Sequence, residues 1–214
     1  GKLVQLKEVI ENFSGHLALN PTSSNAITSQ IDDMISVVGG LTEAPKIRAM
    51  VREGEGELLE FKETLSWDLY KKDKNPDLET ATLKTIVAFL NSKGGVLLIG
   101  VADNGDIPGL NFEIGKFHRS QDKLQLSFKN LLKTRIGEQF YPYFDVRFND
   151  VDGKCVISVD CRPSKEPCFL IGKQNTEDFY VRAPAATDKL IGSKLAAYLK
   201  SHFTDDITID GGMY

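Results

Sequence analysis

One apolar run constrains the fold of this chain more than any other feature. The segment Val96–Val101 (VLLIGV) contains no polar side chain, which is typical of a strand buried on both faces. Gly94 and Gly95 come directly before it and are a C-cap signal. They follow a helical pattern with its cap at Asp77 and these apolar positions: Leu83, Ile86, Val87 and Leu90. The sequence therefore predicts a helix that leads into a buried strand.

The other segments predict an α+β domain, with a mixed or antiparallel sheet and flanking helices, and argue against a doubly wound parallel sheet. Asn104-Gly105 is a strong hairpin-turn signal. The predicted elements are a strand at Leu58–Phe61, a helix from about Lys116 to Glu138, hairpin-linked strands at Tyr143–Phe148 and Lys154–Asp160, a strand at Phe179–Arg182 and a C-terminal helix near Ile191–Phe203.

The chain changes character near residue 50. Its first part carries helical stripes of apolar residues, for instance Ile27, Ile31 and Ile35, and is too small to bury a core alone. We expect it to pack on the main domain or on a second copy of itself, as a homodimer. The predicted organisation is a helical appendage over residues 1–50, a core over 51–204 and a tail over 205–214.

Cysteine usage and hydropathy predict a cytoplasmic protein that does not contact membranes. Cys155, Cys161 and Cys168 form no CxxC pair, so we expect reduced thiols on or near strands and no structural zinc. No apolar run approaches the roughly 20 residues that a membrane helix needs, and the N-terminus lacks a signal-peptide layout.

Acidic residues gather at two places that a fold could bring together. Glu55, Glu57 and Glu60 precede Lys62, and Asp103 follows the buried strand. In a strand, Glu60 and Lys62 share a face because side chains alternate. Three converging carboxylates can hold Mg²⁺ or Mn²⁺, which can activate water for phosphodiester cleavage. Such glutamates are also typical of a solvated surface, so their spacing alone leaves both interpretations open.

The net charge of −4 argues against a uniformly basic nucleic-acid binder, but one segment is strongly basic. Residues 116–135 contain six Lys or Arg and one acidic residue, Asp122. On a continuous helix the following would lie within an arc of roughly 140°: Lys116, Arg119, Lys123, Lys129 and Lys133. This face, extended by Lys71, Lys72 and Lys74, is a candidate phosphate-binding surface; the alternative is a plain solvated helix.

Two motifs resemble the Schlafen core domain, in its prokaryotic form. EGELLEFK at residues 55–62 and AFLNSKGGVLLIGVAD at residues 88–103 are similar to that family's E-x4-E-F-K and A-F-A-N-T-x-G-G-x-L-x-I-G-V-D-D patterns. FYVR at residues 179–182, with Thr187, resembles its closing signature. The likeness runs from about residue 47 to about residue 190.

The resemblance implies a function on nucleic acid. Family members are labelled DNA-binding regulators or ATP-binding, AAA-like proteins, and several are metal-dependent endoribonucleases on structured RNA such as tRNA. Their three catalytic, metal-binding carboxylates fall on Glu55, Glu60 and Asp103, with Mg or Mn as the implied cofactor. Ala102 replaces an aspartate of the pattern, and the zinc-binding set of the animal proteins has no match.

The leading hypothesis is therefore a nucleic-acid-binding domain that cleaves RNA, with RNA favoured over DNA. Lys62 and Lys93 would contact the scissile phosphate and Arg182 a backbone phosphate, while the basic face over residues 116–133 positions the strand. The alternative is a non-catalytic DNA- or RNA-binding module of a transcriptional regulator or defence protein. An ATP-binding domain is a third possibility, although the chain has no phosphate-loop motif.

Overall fold

The computed structural model describes residues 43–172, 175–184 and 186–203. The predicted helical appendage up to residue 42, its dimerisation and the tail over residues 205–214 lie outside these ranges. In the described part, no helix is long and apolar enough to cross a membrane.

The described chain contains nine strands and five α-helices. The strands are β1 (Leu59–Lys62), β2 (Trp67–Asp68), β3 (Asp73–Lys74), β4 (Gly95–Ile99), β5 (Phe144–Val151), β6 (Lys154–Cys161), β7 (Leu170–Ile171), β8 (Glu177–Ala183) and β9 (Ala186–Leu190). The helices are α1 (43–53), α2 (Pro76–Leu90), α3 (Asn111–Glu113), α4 (Gln121–Arg135) and α5 (Gly192–His202). A π-helical turn covers Ile114–His118 and a 3-10 helix covers Glu138–Tyr143.

The main sheet is mixed, and the predicted α+β class is confirmed. Its order is β1-β4-β6-β5; β1 and β4 are parallel, whereas β4 and β5 each pair antiparallel with β6. A second sheet joins β7, β8 and β9, and β2 and β3 form a separate two-stranded hairpin. The predicted hairpin of residues 143–160 is present as β5 and β6.

Strand β4 is buried on both faces, as its apolar run predicts. Leu97 and Ile99 pack in the larger core with α2 and α4. Leu98 points the other way, into a smaller cluster with Ile47 of α1 and Phe61 of β1. Alternation along a strand produces this division. Helix α1 thus covers one sheet face, and the predicted boundary after residue 50 falls inside it.

The N-cap of helix α2 lies two residues earlier than the predicted cap at Asp77. Its N-cap is Asn75, whose side chain accepts a hydrogen bond from the Asp77 backbone N–H, and Pro76 occupies the first helical position. Asparagine at the cap followed by proline is a favourable pair, because Pro lacks the N–H that would otherwise be unpaired. The predicted cap at Asp77 is wrong.

The predicted continuous helix over residues 116–138 is also wrong. The π-helical turn ends at Arg119, which has a left-handed φ of 65°, and α4 starts afresh with Ser120 as its N-cap, accepting from the Lys123 N–H. Lys116 and Arg119 therefore do not share a helix face with the lysines of α4. The basic residues come instead from two elements joined by a sharp turn.

The remaining turn and cysteine predictions have mixed outcomes. Asn104-Gly105 forms a local turn, closed by a hydrogen bond from Gly105 N–H to the Ala102 carbonyl, but it does not join two paired strands. The three cysteines are free and buried. Two of them lie in β6, and burial raises the pKa of Cys155 to about 11, so these thiols are protonated at neutral pH.

Candidate functional site

Glu60 lies at the centre of a charge cluster beside the sheet edge, which we call the clamp (Glu60, Lys62 and Arg182). The Glu60 Oε1 atom is 2.6 Å from Lys62 Nζ, and its Oε2 atom is 2.7 Å from Arg182 Nη2. Burial by itself would raise the pKa of Glu60, but hydrogen bonds and charge from Lys62 and Arg182 outweigh it and lower that pKa. The predicted sharing of one face by Glu60 and Lys62 is present.

Arg182 is the buried member of the clamp, with a side chain only 3% exposed. Besides Glu60, its guanidinium donates to the Gly56 carbonyl at 2.8 Å, the Glu57 carbonyl at 3.2 Å and Thr187 Oγ1 at 3.3 Å. It also lies 5.0 Å from the Phe89 ring centroid. A phosphate could reach this guanidinium only by displacing contacts that join β8 to the segment preceding β1.

Glu55 takes part in the same segment through the backbone of β1. Its Oε1 atom accepts the Phe61 backbone N–H at 2.8 Å, and Lys62 Nζ donates to the Phe61 carbonyl at 2.8 Å. Since β1 is an edge strand, side chains here satisfy backbone groups that an edge would otherwise leave unpaired. The E-x4-E-F-K pattern has a structural role at this edge.

Asp103 lies on the exposed loop after β4. It lines an open cavity of about 580 Å³ together with Glu63, Asp106 and Lys154. Sequence reasoning missed Glu63 and Asp106, although Glu63 lies only two residues after the predicted first strand.

Two of the three carboxylates of the metal prediction, those of Glu55 and Glu60, are engaged with other groups. Both Glu60 oxygens face cationic nitrogens, and one Glu55 oxygen faces a backbone N–H. Throughout the described ranges, no group of three His, Cys, Asp or Glu side chains is placed to hold a metal ion. A cation held by Glu55 and Glu60 would require these two side chains to exchange partners.

The predicted basic residues divide into two kinds. Lys93 pairs with Glu57 at 2.9 Å and Lys133 with Glu138 at 2.9 Å, so their charges are partly neutralised. Three others are exposed and have no acidic side chain within ion-pair distance among the described residues: Arg119, Lys123 and Lys129. Lys116 lies 4.2 Å from the centre of the Trp67 ring, a cation–π contact that leaves its charge unneutralised.

A family comparison decides what kind of domain this is. The family model described as Schlafen, AlbA_2 matches residues 55–190, more than half of the chain. The chain belongs to the Schlafen, AlbA_2 family. None of the curated proteins compared is a significant match.

Two solved structures are similar to this chain. The DIP2311 protein from Corynebacterium diphtheriae matches with a TM-score of 0.51 and 15% identity, covering 78% of this chain and 34% of that one. The N-terminal domain of a RecG-related protein from Nitrosomonas europaea matches with a TM-score of 0.39 and 15% identity, covering 80% of this chain and 97% of that domain. This chain thus spans about a third of the length of DIP2311.

Sequence reasoning missed the role of Asn91 in the Schlafen, AlbA_2 motif. Its side chain is buried, donates to the carbonyls of Cys168 and Tyr180 at 2.7 and 2.9 Å, and accepts the Cys168 N–H at 2.8 Å. The Tyr198 hydroxyl donates to the Asn91 carbonyl at 2.6 Å. This one residue joins the end of α2 to the second sheet and to α5.

The motif glycines are explained by close packing within the protein. A Cβ on Gly94 would come 2.5 Å from the Cys161 carbonyl oxygen, and one on Gly95 would come 2.4 Å from the Phe89 ring. Tight packing of the helix end against the sheet therefore accounts for both glycines. No phosphate-binding loop is needed to explain them.

Proposed function

We propose that this Schlafen, AlbA_2 domain binds nucleic acid, with RNA favoured over DNA, through the exposed cations of α4 and the turn before it. The observation that carries the proposal is the lack of acidic partners for Arg119, Lys123 and Lys129 within the described residues. Family membership agrees with it, because the resemblance implies a function on nucleic acid.

The solvent face of α4 supports this proposal. Leu124, Phe128 and Leu132 are buried on one side of the helix, so at 100° per residue Lys123 and Lys129 flank the opposite, exposed side. Lysines near a phosphate backbone release condensed counterions, and the affinity then falls steeply with salt. Such contacts position a strand without reading its bases.

A titration with fluorescently labelled RNA and DNA of the same sequence tests the proposal. We expect Lys123→Gln with Lys129→Gln to weaken binding of both by about 10-fold at 0.1 M salt, and to reduce the slope of log K against log salt by roughly 2. The control is Lys200→Gln on α5, another exposed lysine. Equal losses in the control and the double variant, or no binding by the unmodified chain, would contradict the proposal.

A second candidate is cleavage of structured RNA at the clamp, which goes beyond binding alone. It is favoured by the preformed contact of Glu60 and Lys62, both of which retain some solvent access, at 18% and 27% of their side chains. In this candidate, Lys62 would break its ion pair with Glu60 and contact a phosphate. A bound Mg²⁺ or Mn²⁺ would activate a water molecule, once Glu55 and Glu60 have exchanged their present partners for the cation.

Incubation of a tRNA pool with Mn²⁺ tests this candidate. We expect Glu60→Gln to abolish cleavage, and Asp103→Asn, at an exposed loop position where folding should be unaffected, to do the same. Equal cleavage by the unmodified chain, Glu60→Gln and Asp103→Asn would assign the activity to a contaminant. An RNA-binding chain that never cleaves at any Mn²⁺ concentration would leave the binding proposal as the function of the domain.

A further inference from the structure

The tip of the β2–β3 hairpin carries the most exposed large side chain with apolar character in the described chain. Tyr70 is 97% exposed, and its neighbour Leu69 is 46% exposed. Lys71 and Lys72, which complete the tip, are also exposed. The exposed ring of Tyr70 is thus followed by two lysines, of which Lys71 lies 3.9 Å from Asp68 Oδ2.

The tip is held in one conformation although it is exposed. Asp68 Oδ1 accepts the backbone N–H groups of Tyr70 at 3.0 Å and Lys71 at 2.9 Å, and Asp68 Oδ2 accepts from Asn75 Nδ2 at 3.0 Å. The Lys72 N–H donates to the Asp68 carbonyl at 2.8 Å. A loop that is already ordered loses little conformational entropy when it binds a ligand.

The base of the hairpin is fixed to the body of the domain by a buried carboxylate. Glu113, 3% exposed, accepts the backbone N–H groups of Leu65 at 2.9 Å and Ser66 at 2.8 Å, and the Ser66 hydroxyl at 2.9 Å. The Trp67 ring lies 5.1 Å from the Phe112 ring and 5.7 Å from the Phe117 ring. The tip therefore projects from a rigid support.

The hairpin adjoins the proposed binding surface. Lys116 of the π-helical turn lies over Trp67 at the hairpin base. His118 of the same turn is close enough to Lys74 for that cation to contribute to lowering its pKa, after desolvation as the larger cause. Lys74 pairs with Glu79 at 3.3 Å, whereas Lys72 has no acidic partner within reach among the described residues. The base of the hairpin thus contacts the turn that precedes α4.

We propose that Tyr70 stacks on an unpaired base while Lys71 and Lys72 contact the flanking phosphates, so that the domain engages single-stranded segments of its nucleic acid at the hairpin tip. Stacking on an aromatic ring needs an exposed base face, which a continuous duplex hides. The inference rests on the proposed function and adds the structural class of the ligand.

A lipid surface is the other class of partner that an aromatic and basic tip suggests. The apolar area at this tip is limited to one aromatic ring and part of Leu69, flanked by lysines, whereas interfacial anchoring relies on a larger apolar face. The observations therefore favour nucleic acid, and binding to vesicles is an outcome of the test.

The test is fluorescence anisotropy with the full chain on a labelled 12-nucleotide oligouridine and on a blunt duplex of the same length. We expect Tyr70→Ala to weaken binding to the single strand about 10-fold, which corresponds to about 1.4 kcal/mol, and to change duplex binding less than about 2-fold. Tyr70→Phe, which keeps the ring, should retain the affinity. Unfolding midpoints of the variants should match that of the unmodified chain, because residue 70 is exposed.

The outcomes separate this inference from the proposed function. If the unmodified chain binds neither oligonucleotide, the proposed function fails. If it binds and Tyr70→Ala has no effect, or weakens single-strand and duplex binding equally, stacking at the tip is overturned while the proposed function stands. Binding to phosphatidylserine vesicles that Tyr70→Ala abolishes, with oligonucleotide binding unchanged, would also overturn the inference and assign the tip to membranes.

Discussion

The clamp and the hairpin–α4 surface, which we define by Lys72, Lys123 and Lys129, use basic residues in opposite ways. In the clamp, Arg182 is buried and its donors go to Glu60 and to backbone carbonyls. On the other surface, Lys72, Lys123 and Lys129 are exposed without acidic partners among the described residues. The comparison teaches that a basic residue in a family motif can be committed to the fold, while basic residues outside the motif remain available to a ligand.

The comparison also explains why the net charge of −4 says little about nucleic-acid binding. Carboxylates such as Glu57 and Glu60 are paired with nearby cations and contribute little net field at a distance. Exposed lysines without acidic partners can produce a local positive potential that a phosphate backbone can follow.

The largest effect should come from breaking the clamp with Arg182→Ala. The change leaves Glu60 facing only Lys62 and removes the donors to the Gly56 and Glu57 carbonyls. We expect the free energy of unfolding to fall by about 3–5 kcal/mol, measured by urea denaturation at pH 7.

The matched control for Arg182 is Lys189→Ala in the same hairpin of strands. Lys189 pairs with Asp178, but both side chains are partly exposed, so the loss should stay below about 1 kcal/mol. At a temperature where Arg182→Ala is still folded, its affinity for oligonucleotides should equal that of the unmodified chain. A selective loss of affinity in the folded Arg182 variant would mean that this guanidinium contacts the ligand, and the contrast between the two surfaces would fail.

A smaller loss is expected from Asn91→Ala, which tests whether the family motif has a structural role beyond the clamp. The substitution leaves the Cys168 N–H and the Cys168 and Tyr180 carbonyls without partners in a buried site. We expect the unfolding free energy to fall by about 2–3 kcal/mol. Asn130→Ala on the exposed face of α4 is the control and should change it by less than about 0.5 kcal/mol; similar values for the two variants would contradict the assignment.

The smallest effect is the pH dependence of the free energy of unfolding, which tests the ionised Glu60 of the clamp. Because the folded state lowers the pKa of Glu60 below its ordinary value of 4.5, the ionised carboxylate stabilises the fold above that value. This stabilisation is lost as the pH falls through the lowered pKa. The stability difference between the unmodified chain and Glu60→Gln should therefore be largest near pH 7 and shrink below about pH 4.

Denaturant titrations at pH 7, 5 and 3.5 measure this difference. Glu138→Gln removes an exposed pair with Lys133 and should lower stability by less than about 1 kcal/mol at pH 7. A Glu60→Gln difference that stays constant from pH 7 to 3.5 would show that its carboxylate is not held ionised by Lys62 and Arg182.

Sequence patterns predicted the elements well where the side chains themselves decide burial. The alternating destinations of Leu97, Leu98 and Ile99 follow from a run that is apolar at every position. The pattern failed at Arg119 and Ser120, because the apolar spacing continues across the break and only the cap at Ser120 marks it. In the same way, Asn75 with Pro76 is a stronger start signal for α2 than Asp77.

For the candidate site, the sequence correctly predicted that Glu60 and Lys62 share a face, since that depends only on alternation. It had no means of predicting the burial of Arg182, because residues 122 positions apart in the chain meet there. Tyr70 carried no signal of its own, since its exposure depends on the Asp68 turn and on the Glu113 support beneath it. The family resemblance gave the family correctly, and the comparisons confirmed it.

By itself the sequence determined a buried central strand, an α+β domain and the chemistry available to it, because hydrophobic periodicity and residue type act locally. Only the tertiary structure decided which charges are paired. The pairing of charges depends on distances between elements that are far apart in the chain. It also depends on burial, which favours contacts that satisfy polar atoms. The glutamates that the motif suggested as metal ligands are engaged with cations and backbone, and the cations that remain available lie elsewhere.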